Sequence, residues 1–159
     1  MKYHGINALK DGYKEEGEVA MTEVMIKQAA IDMILSQGEK IYPYEGCGVL
    51  LRRTGQETIT EVIACRNAVA DKATEHFLID PLELAEIEKE SIGNEYEIAG
   101  FYHTHPDQEA VVSAEDGRFM IPGMIYAILS VYDGHPERLR FYRKDAPSDK
   151  EKETGYMGG

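Results

Sequence analysis

Residues 96–116 read YEIAGFYHTHPDQEAVVSAED, and the fold turns on how this stretch is divided. The first ten residues are rich in aliphatic and aromatic side chains, and Pro106 has no amide proton to give to a ladder. That predicts a strand over 96–105 which stops at the proline. Six residues, 107–112, form a loop, and Ser113 with Asp116 three positions later has the spacing of a capped helix start. Side chains on a strand alternate between faces, so His103 and His105 project to one side and Thr104 to the other.

Working outward, residues 22–37 carry apolar side chains at Val24, Met25, Ala29, Ile31, Met33, Ile34 and Leu35. With Thr22 placed as a cap and Gly38 as a stop, this predicts a helix. GCGVLLRR (46–53) and ETITEVIACRNA (57–68) are β-rich runs around Thr54-Gly55, a hairpin signal. HFLID (76–80) reads as a short strand, and Asp80-Pro81 opens a helix to about residue 91 with proline in its first turn. MIYAILSVY (124–132) reads as a buried strand and ERLRFYRK (137–144), after the Gly134 turn, as an alternating edge strand. This order of elements belongs to a single α/β domain, a mixed sheet flanked by helices.

The 159 residues suit one domain with one core, and 43% hydrophobic content excludes a disordered composition. The net charge of −12, from 17 Lys and Arg against 29 Asp and Glu, argues against nucleic acid and anionic membranes as partners. Residues 1–21 are polar and glycine-punctuated, with an acidic patch at Glu15, Glu16 and Glu18. They read as an extension ahead of a domain at 22–144. Residues 145–159 read as a flexible tail ending Gly158-Gly159. The N-terminus has no apolar run of the secretory kind. The longest apolar stretch, 121–132, is at roughly 12 residues too short to span a bilayer and is broken by Pro122 and Gly123. A cytoplasmic location is expected, with Cys47 and Cys65 as reduced, buried thiols.

Each half of the opening stretch has a plain structural reading. Ser113 and Asp116 make a capping box, and paired histidines on a strand often face solvent or bond to neighbours. Taken together, His103, His105 and Asp116 offer two nitrogens and a carboxylate within one strand–loop–helix unit. Three protein ligands leave a tetrahedral zinc one open position, the arrangement of catalytic zinc sites. A general base is then needed. Glu45, in YPYEGCGVLL beside glycines that permit close backbone approach, is the candidate, and an ordinary exposed glutamate is the alternative.

EGCGVLL, Asn67-Ala68, FLIDP (77–81), GFYHTHP and SAED together closely resemble the JAMM (MPN+) zinc metallopeptidases, over residues 22–144 and above all their compact prokaryotic stand-alone branch. The resemblance implies a cytidine-deaminase-like JAMM/MPN fold and a zinc ion held by His103, His105, Asp116 and a water. It implies Glu45 as the acid–base residue and Ser113 as a donor to the tetrahedral oxyanion. The chain departs from the branch in having valine at 112, where proline is common. The resemblance also implies hydrolysis of amide or isopeptide bonds after the C-terminal glycines of ubiquitin-like proteins. Because the connection after Asp116 is short, a small ubiquitin-like or sulfur-carrier protein ending in Gly-Gly is the expected partner. A deubiquitinase-like isopeptidase, a hydrolase of an unrelated small amide, and a non-catalytic MPN scaffold are the alternatives. A homo-oligomer is compatible with all of these. The chain's own Gly158-Gly159 could mimic a substrate tail in a neighbouring molecule's groove, or be a plain terminus. His4, His76 and His135 receive no role, and Tyr42, Tyr44 and Tyr102 are packing or groove residues.

Overall fold

The protein is described from a computed structural model, over residues 23–159. The expected extension at 1–21, with its acidic patch and His4, and the Thr22 cap lie outside the described residues. The elements run β1 (Glu23–Ile26), α1 (Gln28–Ile41), β2 (Cys47–Arg53), β3 (Ile59–Cys65), α2 (Pro81–Gly93), β4 (Tyr96–Pro106), α3 (Ala114–Phe119), β5 (Ile125–Tyr132), β6 (His135–Arg143) and β7 (Lys152–Gly158).

The sheet is mixed, and it closes on itself in the order β1-β3-β2-β4-β5-β6-β7. β4 is its buried centre. It pairs antiparallel with β2, His103 opposite Cys47, and parallel with β5, His103 opposite Ile128 and His105 opposite Ser130. One face packs against α1: Ala30, Ile31 and Ile34 meet Leu50, Tyr102, Leu129 and Phe141 in the larger core cluster. The opposite face packs against α2, where Leu84 and Ile87 meet Cys47, Val49 and Phe101. A fully buried aliphatic such as Ile34 contributes roughly 1.5–3 kcal/mol by leaving water.

Three expectations need correction. The first helix starts at Gln28, because residues 23–26 alternate exposed and buried and form β1. It also runs through Gly38, which is a contact rather than a stop. A Cβ there would lie 2.6 Å from Leu129 Cδ2, so glycine lets the helix approach the sheet. Residues 76–80 do not form a strand; they contribute one isolated bridge, Asn67 to Ile79. The tail expected to be flexible carries β7, which pairs antiparallel with β6 and parallel with β1. That pairing is why the sheet closes into a barrel. Gly158 lies opposite Ile26 in this ladder, and Gly159 exchanges backbone hydrogen bonds with Ile26 and Gln28 at 3.0 Å. The Gly-Gly pair is thus seated along the chain's own first strand. Cys47 and Cys65 are buried free thiols, as expected.

Candidate metal centre

β4 sets the two histidines on the α2 side of the sheet, and its middle residue works on the other side. Thr104 Oγ1 accepts the Gly46 amide at 2.8 Å, and the Thr104 amide donates to the Gly46 carbonyl at 2.9 Å. This extends the β2–β4 ladder by one step and fixes the residue next to Glu45. Gly48 makes the neighbouring approach possible, since a Cβ there would sit 2.3 Å from the Tyr102 ring and 2.4 Å from the Ile63 carbonyl.

α3 brings the third group. Ser113 Oγ accepts the Asp116 amide at 3.0 Å and Asp116 Oδ2 accepts the Ser113 amide at 3.2 Å, a reciprocal capping box. The same Oδ2 lies 3.1 Å from His103 Nε2 and 3.3 Å from His105 Nε2, and the two nitrogens are 3.1 Å apart. Three donor atoms on a tetrahedral zinc, with bonds of about 2.0–2.1 Å, would be roughly 3.3–3.4 Å apart. The observed triangle fits a zinc ion after adjustments of a few tenths of an ångström. The donor chemistry fits as well. His105 Nδ1–H donates to the Glu109 carbonyl at 2.8 Å, which leaves its Nε2 lone pair directed at the centre. The Phe77 ring stacks on His103 with centroids 4.6 Å apart and holds its plane.

The electrostatics separate these groups. Burial would raise the Asp116 carboxyl, but hydrogen bonds with His103 and His105 outweigh it and hold the group well below the usual carboxylate range. Burial pushes His103 down, against the opposing pull of Asp116. For His105 burial acts the same way, yet Asp116 and the Glu109 carbonyl win and raise it. Glu45 is 5% exposed. Burial pushes it up to about 7, with Asp116 and Glu115 adding to the rise and His105 and His76 opposing it. A carboxylic acid tuned near neutrality is suited to taking and returning a proton.

A cavity of about 340 Å³ joins these groups. Glu45, His103, His105, Ser113 and Asp116 all line it, so the five residues singled out in the sequence converge on one space. What the sequence reading missed is the support of Glu45. Its amide donates to the Ala73 carbonyl at 2.8 Å, and Asn67 Nδ2 donates to its carbonyl at 3.0 Å and to that of His76 at 2.9 Å. Asn67 Oδ1 accepts from the Val69 and Leu78 amides, so one side chain organises the 67–78 loop around the acid. Asn67 belongs to the quoted resemblance, but its role has no signal in a lone sequence. His76 lies at the cavity wall and pairs with Glu115 at 2.9 Å, both groups substantially exposed.

The sequence profile of the prokaryotic homologs of the JAB domain (Prok-JAB) matches residues 27–145, three quarters of the chain. The chain belongs to this family. Among curated proteins, it is 37% identical over 91 residues to one named desampylase from Haloferax volcanii. That match spans 55% of this chain and 63% of the length of the relative. A solution structure from Desulfitobacterium hafniense matches with a TM-score of 0.70 at 26% identity, covering 85% of this chain and 92% of the other. One from Salinibacter ruber gives 0.64 at 27%, covering 85% and 91%. A JAB1/MPN domain protein of Archaeoglobus fulgidus shares the fold, with a TM-score of 0.53 at 17% identity over 85% of this chain and 98% of that one. Among the described residues no helix is long and apolar enough to cross a membrane.

Proposed function

We propose that the chain is a zinc-dependent (iso)peptidase of the JAMM type, acting in the cytoplasm. It hydrolyses the amide bond after the C-terminal Gly-Gly of a small ubiquitin-like or sulfur-carrier protein. The observation that carries this reading is the triangle of His103, His105 and Asp116 donor atoms at 3.1–3.3 Å, with Glu45 lining the same cavity. The curated relative named desampylase supports it.

His103, His105 and Asp116 would hold the zinc, which would supply Lewis acidity, lowering the pKa of a water to about 7 and polarising a substrate carbonyl. Glu45, held at its backbone by Asn67 and Ala73, takes the proton of the attacking water and returns it to the leaving amine. The Ser113 hydroxyl accepts from the Asp116 amide and still has its own proton to donate to the developing oxyanion. Its capping role and its proposed oxyanion role use opposite ends of one O–H group. Gly-Gly suits the approach to such a centre because it carries no side chains.

Two measurements test the reading. Metal analysis should find one zinc per chain in the wild type and in Glu45→Gln, with hydrolysis lost only in the variant. Mass spectrometry of Gly-Gly carrier conjugates incubated with zinc-loaded protein should show release of the conjugated group. Unchanged conjugates would leave a non-catalytic MPN scaffold or a hydrolase of another amide. Cleavage of ubiquitin-type chains in preference to small carriers would point to a deubiquitinase.

A further inference from the structure

The loop between His105 and α3 is held at two points, and the second of them is a side chain of β6. At the first, the Asp107 amide donates to the Val131 carbonyl at 2.7 Å. The Asp107 carboxylate accepts from the Asp133 amide at 2.9 Å and from the Tyr42 hydroxyl at 2.7 Å. At the second, the Tyr142 hydroxyl donates to the Ala110 carbonyl at 2.6 Å. Both partners are buried, and they share a small core cluster with Met120 and Ile128. Only Gln108 and Glu109 lie between the two clamps. The Glu109 carbonyl is the acceptor that holds His105 Nδ1–H.

We propose that Tyr142 is a positioning residue for the metal centre, acting through the Ala110 and Glu109 peptides to fix the ring of His105. The inference rests on the metal reading above and deepens it, since nothing in the ligand set itself points to β6. The physical reason is that two residues between fixed ends have little freedom. While the Ala110 carbonyl is anchored, the Glu109 carbonyl can point only where His105 meets it. Without the hydroxyl, the Ala110 carbonyl is buried and unsatisfied, and the loop must turn to find another donor. That rotation carries the Glu109 carbonyl away from Nδ1. His105 then loses the bond that fixes both its orientation and the tautomer presenting Nε2.

The test is Tyr142→Phe, which removes one oxygen from a packed ring. Zinc affinity is measured by competition with a chromogenic chelator, and the visible absorption of the cobalt-substituted protein reports the ligand geometry. Loss of an outer hydrogen bond to a metal ligand weakens metal binding by about 10–100-fold; for this more remote hydroxyl roughly tenfold is expected, with altered cobalt bands. Tyr102→Phe is the control. Its hydroxyl is buried without a hydrogen-bond partner, so zinc affinity should stay at the wild-type value. Wild-type affinity and an unchanged cobalt spectrum in Tyr142→Phe overturn the proposal, even if the metal-free protein is less stable. If Tyr102→Phe weakens zinc as much as Tyr142→Phe does, the effect is not that of the Ala110 bond and the proposal fails. If the wild type takes up no zinc, the metal reading fails and this inference with it.

Discussion

Glu45→Gln should stabilise the metal-free protein while abolishing hydrolysis, and the size of the stabilisation follows from the burial of the acid. Glu45 is 5% exposed, and its carboxyl is pushed from an ordinary 4.5 up to about 7. An acid with a raised folded-state pKa keeps its proton in the folded state where the unfolded chain has lost it. Its contribution to stability is therefore fully present below about pH 4.5 and is lost as the pH rises through about 7. A rise from 4.5 to about 7, at about 1.36 kcal/mol for each pH unit, makes about 3 kcal/mol by pH 8. The glutamine amide never ionises and escapes this loss. The backbone bonds to Ala73 and Asn67 do not involve the carboxyl, so the substitution leaves the loop in place. Urea unfolding of chelator-treated wild type and Glu45→Gln should give stabilities that converge near pH 4.5. At pH 8 the variant should be more stable by about 3 kcal/mol. Groups that do not interact with Glu45 titrate alike in both proteins and cancel in the difference. Zinc should shrink the gap, because a nearby cation favours the carboxylate. A difference that stays flat between pH 4.5 and 8 would refute the idea that the site holds Glu45 out of water.

Other outcomes are equally open to measurement. Thr104→Val leaves the buried Gly46 amide without its acceptor; it should cost about 1–3 kcal/mol in urea unfolding and lower kcat while zinc content stays at the wild-type level. Gly48→Ala forces a methyl group onto the Tyr102 ring and the Ile63 carbonyl, and a drop of about 1–3 kcal/mol by thermal or urea unfolding is expected. Truncation before residue 152 removes β7 and exposes the free edges of β1 and β6. It should lower Tm and promote concentration-dependent association in light scattering, whereas a tail with no structural role would change neither.

Most of the elements near the site were legible because their signals are local. The alternation of FYHTH, the Pro106 stop and the Ser113–Asp116 capping box describe a strand, a loop and a helix start within one continuous segment. β4 and α3 stand where that segment predicts them. The misread elements depend on distant partners. EVMI at 23–26 overlaps a helical pattern, and pairing with residues 155–158 and with Ile59 selects the strand. HFLID has strand-like residues, yet Asn67 takes up the backbone of this segment and leaves it a loop. Gly38 looks like a helix stop because its neighbour Leu129 is ninety-one positions away.

The order of residues alone set the chemistry on offer: two imidazoles on one face of a strand, a carboxylate at a helix start, and a glutamate beside glycines. Side-chain periodicity and capping follow from local backbone geometry, which a short window contains. That these groups meet was settled only by the folded arrangement. Pairing of β2 with β4 through Gly46 and Thr104 carries Glu45 to His103 across fifty-eight residues. The outer supports from Asn67, Phe77, Glu109 and Tyr142 come from contacts between elements remote in the chain. So does the closure of the sheet by β7. Such contacts are fixed by packing and by the need to satisfy buried polar groups, and neither leaves a periodic trace in the order of residues.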